Sequence, residues 1–257
     1  MYYPDRHHPI FFLQDALTEL GADAVYTNRD ERTEGCYGLL VNGKPVVWLI
    51  DNRWMHERAK EDPAAHRLLI RGALVCCAQK PDATRIGAKW LPLAITPGYA
   101  PDPNIRKQWE VGFVGYVRDE SRGAILKYLA RYFSTKVCEG VFGDEAVRIY
   151  QGSLLGVNIP TNYGNSLAYD SANMRCFEIL ATGTPLITPF ENYLVELGLL
   201  HGVNCYTYDN WQLIGDLVRG AVRTKAIANQ VGINGMNLVF KRHTYTERAK
   251  QVLEWLK

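Results

Sequence analysis

The chain has 257 residues, of which 47% are hydrophobic, and a formal net charge of +2. This length and apolar content predict one large or two small packed domains and exclude a disordered protein. The nearly neutral charge excludes a polyelectrolyte that grips nucleic acid through its overall charge.

The first hundred residues have the pattern of a short α/β domain. Helical periodicity over residues 10–20 ends at Gly21, which is typical of a helix C-cap. The turn signal Asn42-Gly43 separates two apolar runs and predicts a hairpin. The predicted strands and extended segments are residues 24–26, 38–41, 45–50, 73–78 and 90–94, with a further helix at 66–71.

A linker follows this first domain. Residues 96–103 contain three prolines and one glycine, a composition that forms neither a helix nor a central strand. We therefore place the domain boundary here. The expected domains are residues 1–100, a short N-terminal α/β domain, and residues 107–257, a C-terminal Rossmann-like domain that ends in helices.

The second half alternates strands and helices regularly. Such alternation predicts a parallel, doubly wound sheet with helices on its faces. The predicted strands are residues 111–115, 135–141, 154–159 and 204–208, with a further short strand before residue 188. The predicted helices are residues 122–133, 144–150, 191–200, 210–222 and 245–256, and a short one containing Glu178.

Six cysteines form no CxxC pair and no metal-ligand spacing. Several lie in apolar runs, where cysteine is usually a small buried hydrophobe, so reduced thiols and a cytoplasmic location are expected. No metal is expected. No signal peptide and no apolar run near the roughly 20 residues of a membrane helix are found, so no membrane partner is expected.

The first candidate binding motif is the strand end around Gly115 and the loop that carries Arg118. Ligands of open α/β sheets lie beyond the carboxyl ends of the strands. Glycine lets a phosphate or sugar approach the backbone closely, and Arg118 can neutralise a diphosphate. A tight strand-to-helix turn with a solvated arginine is the open alternative.

The second candidate motif is the start of the helix that follows Asp170. Ser171 or Asn173 can cap this helix, and its free amides together with the helix dipole favour a diphosphate. Arg175 lies in the first turn, where it can meet phosphate. These residues predict a nucleotide-sugar site at the helix N-terminus.

Two acids accompany this helix start. Glu178 lies further along the helix, where a carboxylate can accept both ribose hydroxyls, and Asp170 can accept hydroxyls of the donor sugar. The apolar neighbours of Glu178 make an idle glutamate costly there. The alternatives are a surface Glu178 and an Asp170 that only complements the helix dipole.

A third candidate group follows the apolar strand at residues 45–50. Asp51 stands at the carboxyl edge of that strand and His56 comes shortly after it. Either residue can bind the acceptor or act as a general base. A helix cap at Asp51 with a solvated His56 is an equally weighted alternative.

Taken together, these motifs resemble the CgeB-like family of group 1 glycosyltransferases. The residues that carry the resemblance are 111–115, Arg118-Asp119, 173–183, 243–245 and Arg248, with further similarity at 45–51 and 90–94. The resemblance implies a GT-B fold, in which two Rossmann-like domains enclose a cleft, here with a short N-terminal domain. It also implies that the C-terminal domain mainly holds the donor.

The resemblance further implies the activity. The expected enzyme is a hexosyltransferase-like glycosyltransferase that moves a sugar from a nucleotide-sugar, with a UDP-sugar as first choice, to a hydroxyl acceptor. It needs neither a metal nor a tightly bound cofactor. In the family pattern two glutamates flank the helix start; Glu178 matches the second, whereas Asp170 stands where the first is expected.

Other functions stay open at this point. A sugar-nucleotide epimerase shares the fold, and a degenerate binding or scaffold protein would explain Asp170 and the short N-terminal domain. The acceptor is a glycan, a protein, a small molecule or a hydroxymethylated base of phage-type DNA. Basic residues between 53 and 71 suit DNA, but interspersed acids favour a solvated helix face. A homo-oligomer in which a second copy completes the acceptor side is also open.

Overall fold

The structure is a computed structural model that describes residues 8–27, 36–50, 72–117, 120–160 and 172–257. The chain divides into two compact units. The first unit comprises Met1–Thr96 together with Thr244–Lys257, and the second comprises Pro97–His243.

The part of the first unit that the structure describes forms a five-stranded mixed sheet. Its elements before the linker are α1 (Pro9–Glu19), β1 (Ala24–Thr27), β2 (Cys36–Val41), β3 (Lys44–Leu49), β4 (Leu74–Cys77), α2 (Lys80–Ile86) and β5 (Lys89–Trp90). The strand order is β1-β2-β3-β4-β5. Strand β2 pairs antiparallel with β1 and β3, whereas β3, β4 and β5 are parallel. Only part of this sheet therefore has Rossmann-like parallel pairing.

The hairpin predicted at Asn42-Gly43 is confirmed. Both residues have positive φ, 50° and 74°, as a tight hairpin turn requires, and they join β2 to β3. Helix α2 was not predicted. It is short, has proline near its start and ends at a left-handed Gly87, so its sequence has too few turns to show helical periodicity.

The described residues of the second unit form a five-stranded sheet in which all strand pairs are parallel. Its elements are β6 (Trp109–Val114), α3 (Glu120–Tyr132), β7 (Thr135–Cys138), α4 (Gly143–Gln151), β8 (Ser153–Val157), α5 (Met174–Ala181), β9 (Leu186–Pro189), α6 (Asn192–Glu196), β10 (Tyr206–Tyr208), α7 (Ile214–Arg223) and α8 (Lys225–Arg242). The predicted parallel α/β architecture is confirmed. Strand β7 and helix α6 are shorter than the sequence predicted.

The strand order β10-β9-β8-β6-β7 places β6 between β7 and β8. The chain runs outward from β6 to β7 and then returns to the other side of β6 to form β8, β9 and β10. The order thus reverses between β6 and β8. In open α/β sheets this switch point, at the carboxyl ends of the strands, is where ligands bind.

The core of the second unit fixes the strands that bear the switch point. Phe113 of β6 and Val157 of β8 are fully buried, and they belong to one cluster with Leu129 of α3 and Val218 of α7. Helix α8 packs closely on α5. A side chain at its Gly235 would collide with Leu180, so glycine at this position allows the helices to approach.

The last helix, α9 (Tyr245–Trp255), groups with the first unit. The Thr244 hydroxyl caps it by accepting from the Glu247 N–H at 3.2 Å. The buried Arg248 donates from Nε to the Pro92 carbonyl at 2.7 Å and from Nη2 to the Leu93 carbonyl at 3.0 Å. The division from sequence assigned residues 107–257 to one domain, whereas this helix packs with the N-terminal unit.

Within the described ranges, no helix combines the length and the apolar character needed to cross a membrane.

Candidate functional site

Three segments of the second unit meet at the switch point. They are the end of β6 at Val114-Gly115, Asn158 directly after β8, and the start of α5. The side chain of Arg175, from the first turn of α5, joins the other two. The site therefore lies at the edge of the sheet where the topology predicts a ligand.

Arg175 is held by the end of β6. Its Nε donates to the Val114 carbonyl at 2.8 Å, and its guanidinium carbon lies 4.7 Å from the centroid of the Phe113 ring. Gly115 has φ of 146°, and a Cβ there would collide with Arg175 Nη2. Glycine at this position thus makes room for the guanidinium.

Asn158 connects these segments, although the sequence analysis did not select it. The residue is 2% exposed. Its Oδ1 accepts from Arg175 Nη1 at 2.9 Å and from Asn173 Nδ2 at 3.0 Å, and its Nδ2 donates to Thr188 Oγ1 at 3.1 Å. The signal for this role is weak in sequence, because Asn158 lies inside a run that reads as a buried strand.

Asn173 stands at the N-cap position of α5, but its side chain makes no cap hydrogen bond. It is turned toward Asn158 instead, and its carbonyl accepts from the Cys176 N–H at 3.0 Å. The Asn173 side chain therefore accepts no hydrogen bond from the amides of the first turn. A helix start in this state suits an anion.

Glu178 lies one turn beyond Arg175 and is half-buried. Burial raises the pKa of Tyr99 well above its ordinary range, and the Glu178 carboxylate raises it further. The same two causes, in the same order, raise the pKa of the fully buried Tyr150. Glu178 is thus close to two neutral phenols, and the Tyr99 hydroxyl also hydrogen-bonds to the backbone of Gly143.

A second arginine, Arg122, is buried and supports the site. Arg122 of α3 is 6% exposed and donates from Nε to the Ile159 carbonyl at 2.8 Å. Its Nη1 donates to the Tyr116 carbonyl at 2.6 Å, and its guanidinium carbon lies 5.7 Å from the Phe113 ring centroid. Two guanidinium groups therefore lie within 6 Å of one ring centroid and concentrate positive charge at the switch point.

Cys176 of α5 also contacts this network. Its Sγ lies 3.7 Å from Thr188 Oγ1, and burial raises the pKa of the thiol to about 11 although the Thr188 hydrogen bond lowers it. A thiol with this pKa is neutral near pH 7. Cys176 therefore packs as an apolar residue and is not a reactive nucleophile.

The structure brings together four of the predicted site residues: Gly115, Asn173, Arg175 and Glu178. The other five, Asp51, His56, Arg118, Asp170 and Ser171, lie outside the described residues, as does the basic stretch at 53–71. The sequence analysis missed Asn158, Arg122 and Tyr99. Among the described side chains no group of histidine, cysteine and acidic residues has a metal-binding arrangement.

Comparison with known proteins identifies the family of this chain. The family model for glycosyl transferase-like proteins matches residues 107–254, more than half of the chain. A comparison with curated proteins gives no match. The match covers β6, β8 and α5, which carry the site.

Solved structures show the same fold. HepE from Anabaena, solved in complex with UDP and glucose, has a TM-score of 0.57 at 14% identity, over 82% of this chain and 70% of that chain. Sucrose-phosphate synthase from Thermosynechococcus elongatus has a TM-score of 0.54 at 13% identity, over 78% and 62%. The pneumococcal O-GlcNAc transferase GtfA, in complex with UDP and GlcNAc, has a TM-score of 0.50 at 10% identity, over 91% and 50%.

These likenesses agree with the parallel sheet and its switch point in indicating a GT-B fold. This chain belongs to the glycosyl transferase-like family and is a group 1 glycosyltransferase, an enzyme that transfers a sugar to an acceptor.

Proposed function

We propose that the second unit holds a UDP-sugar at the switch point, with the diphosphate at the start of α5 and the ribose at Glu178. One observation carries this proposal: Arg175, a first turn of α5 that the Asn173 side chain does not cap, and Glu178 lie on one helix at the carboxyl edge of β6 and β8. Positive charge and the amides of the first turn precede the Glu178 carboxylate along the helix. A nucleoside diphosphate bound with its phosphates at the helix start would therefore direct its ribose toward Glu178.

The diphosphate needs positive charge and N–H donors that no protein group has already taken. The helix dipole of α5 and the Arg175 guanidinium supply the charge, and Gly115 leaves the strand end open to that guanidinium. We add Arg118 and Ser171 to this part of the site from their sequence positions. Together these groups stabilise the departing diphosphate without a metal.

The ribose is the part of the donor that suits Glu178. A carboxylate has enough lone pairs to accept from two neighbouring hydroxyls. Tyr99 and Tyr150 stay neutral around pH 7, since their pKa values are raised, so they add no second negative charge beside this carboxylate. HepE and GtfA were both solved with UDP, which supports uridine as the nucleoside here.

The contacts with the donor sugar and with the acceptor are assigned from sequence positions alone. We propose that Asp170 accepts hydroxyls of the donor sugar. If the reaction inverts the anomeric centre, Asp51 or His56 is the base that takes the proton from the acceptor hydroxyl. If it retains the configuration, the leaving phosphate takes that proton. The acceptor class, DNA included, stays unassigned.

Three finer assignments complete the proposal. The motif residues of the second unit support membership of the CgeB-like group. All six cysteines are free thiols, which supports a reducing, cytoplasmic location. The short first unit supports a homo-oligomer in which a second copy completes the acceptor side.

Substitution of Glu178 tests the donor assignment. A thermal-shift screen of UDP-, GDP-, ADP- and dTDP-sugars against the wild-type protein identifies the donor first. Glu178→Ala should then show neither the thermal shift that this donor gives the wild type nor the slow hydrolysis of the donor. Glu254→Ala, on the last helix of the first unit, is the matched control and should behave as the wild type. Unchanged donor affinity and turnover in Glu178→Ala would overturn the assignment.

A further inference from the structure

We propose that Asn158 is a positioning residue of the donor site. Its carboxamide fixes the Arg175 guanidinium and the start of α5 in the arrangement that receives the diphosphate. This inference rests on the proposed function, because it concerns the same site. It gives a role to a residue that neither the motifs nor the family resemblance selected.

The orientation of the Asn158 carboxamide follows from its partners. Arg175 can only donate, so the atom 2.9 Å from its Nη1 is the oxygen. That oxygen also accepts from Asn173 Nδ2 at 3.0 Å, which occupies both of its lone pairs. The amide nitrogen then faces Thr188 Oγ1 at 3.1 Å. One side chain thus ties two residues of the helix start to β9.

The Asn158 backbone is equally fixed. Its N–H donates to the Ile187 carbonyl of β9 at 2.7 Å, and its carbonyl accepts from the Tyr208 hydroxyl of β10 at 3.2 Å. At 2% exposure, water cannot replace a partner that is lost. The residue therefore holds the helix start in a fixed position relative to β9 and β10.

This support matters for Arg175 because its side chain has many rotamers. The Val114 carbonyl and Asn158 Oδ1 come from different strand ends, and together they fix the plane of the guanidinium beside Phe113. A guanidinium that is already oriented loses little entropy when an anion binds. Without Asn158, Arg175 Nη1 loses its hydrogen bond to Oδ1, and the guanidinium is held less firmly in position.

Two substitutions separate positioning from simple packing. Asn158→Asp keeps an acceptor for Arg175 and for Asn173, and the Thr188 hydroxyl can rotate to donate. The variant should fold, but its new carboxylate should neutralise Arg175 where the diphosphate binds. Thr188→Val is nearly isosteric, changes no charge and removes the hydroxyl that holds the carboxamide. Ser153→Ala is the control, since it removes a buried hydrogen bond at the opposite end of β8.

UDP binding is measured by calorimetry and uridine binding by ligand-observed NMR. Both affinities are then compared with the thermal unfolding of each variant. Asn158→Asp should unfold near the temperature of Ser153→Ala, yet bind UDP about tenfold more weakly than the wild type. Uridine binding should not change, since uridine carries no phosphate. Thr188→Val should weaken UDP binding about threefold and leave uridine unaffected.

A merely structural role predicts a different result, in which ligand affinity follows stability and UDP and uridine weaken together. That result would overturn the proposal, as would wild-type UDP affinity in both Asn158→Asp and Thr188→Val. If Asn158→Asp does not fold, Thr188→Val decides alone. Absence of UDP and UDP-sugar binding by the wild type would instead overturn the donor site itself, so the two failures are distinguishable.

Discussion

The Arg175 guanidinium fills the space that a side chain at Gly115 would need. The sequence suggested separate contacts with the donor for these two residues. In the structure they lie against each other, with Arg175 Nη2 inside contact distance of any Cβ at position 115. The end of β6 and the start of α5 therefore depend on one another.

Gly115→Ala should disturb both stability and donor binding. The backbone there has φ of 146°, which alanine adopts only with strain, and the methyl group would displace Arg175. We expect a loss of about 1–3 kcal/mol in the free energy of unfolding, measured with urea. UDP affinity measured by titration should fall with it.

Gly220→Ala is the control for that substitution. Gly220 lies in α7 with ordinary helical φ, and nothing stands within 4 Å of an added Cβ. Alanine there should stabilise the protein by about 0.5–1 kcal/mol and leave UDP binding alone. If Gly115→Ala behaves like Gly220→Ala, the contact with Arg175 has no energetic importance.

Arg248→Met should destabilise the first unit without changing the donor site. The buried guanidinium donates to the carbonyls of Pro92 and Leu93, and methionine would leave both without this donor. A loss of about 2–4 kcal/mol in the free energy of unfolding is expected, because hydrogen bonds from charged groups are strong. UDP affinity below the unfolding transition should equal that of the wild type. Wild-type stability in Arg248→Met would show that these two hydrogen bonds are dispensable.

Stability should fall as the pH rises from about 9 to 11. Burial raises the pKa of the Cys176 thiol from 9.0 to about 11 in the folded state. In this window the unfolded thiol ionises while the native one keeps its proton, so alkali favours unfolding. The stabilisation is complete below pH 9 and is lost toward pH 11. Cys76 and Cys205, whose pKa values rise to about 12, act in the same direction.

Urea unfolding between pH 8 and 10.5 measures this effect, and Cys176→Ala isolates one group. Each ionising thiol contributes up to about 1.4 kcal/mol per pH unit, so the variant should lose stability less steeply than the wild type above pH 9. Equal slopes for the two proteins would mean that the native Cys176 thiol titrates normally.

Much of the fold follows from local sequence. Asn42-Gly43 specifies its hairpin directly, and the alternation after residue 109 predicts the parallel sheet, because both signals lie within a few neighbouring residues. The position of α9 does not follow in this way. It depends on Arg248 meeting carbonyls about 155 residues earlier, and no local pattern encodes such a contact.

The candidate site likewise contains residues that the sequence predicts and residues that only the structure reveals. Gly115, Asn173, Arg175 and Glu178 stand at strand ends and a helix start, where residue type alone suggests ligand binding. Asn158 is one polar residue in an apolar run, and its importance appears only when Arg175, Asn173 and Thr188 converge on it from other segments. Tyr99 was hidden in a proline-rich linker, although its side chain is buried beside Glu178.

The role of Glu178 is tested most directly by a cycle of two ligands and two proteins. Calorimetry compares UDP with its 2′-deoxy analogue for the wild type and for Glu178→Gln. If the carboxylate accepts from the ribose hydroxyls, the wild type should prefer UDP by about tenfold or more, and the variant should bind both ligands alike. An equal preference for UDP in the two proteins would contradict the proposed donor site.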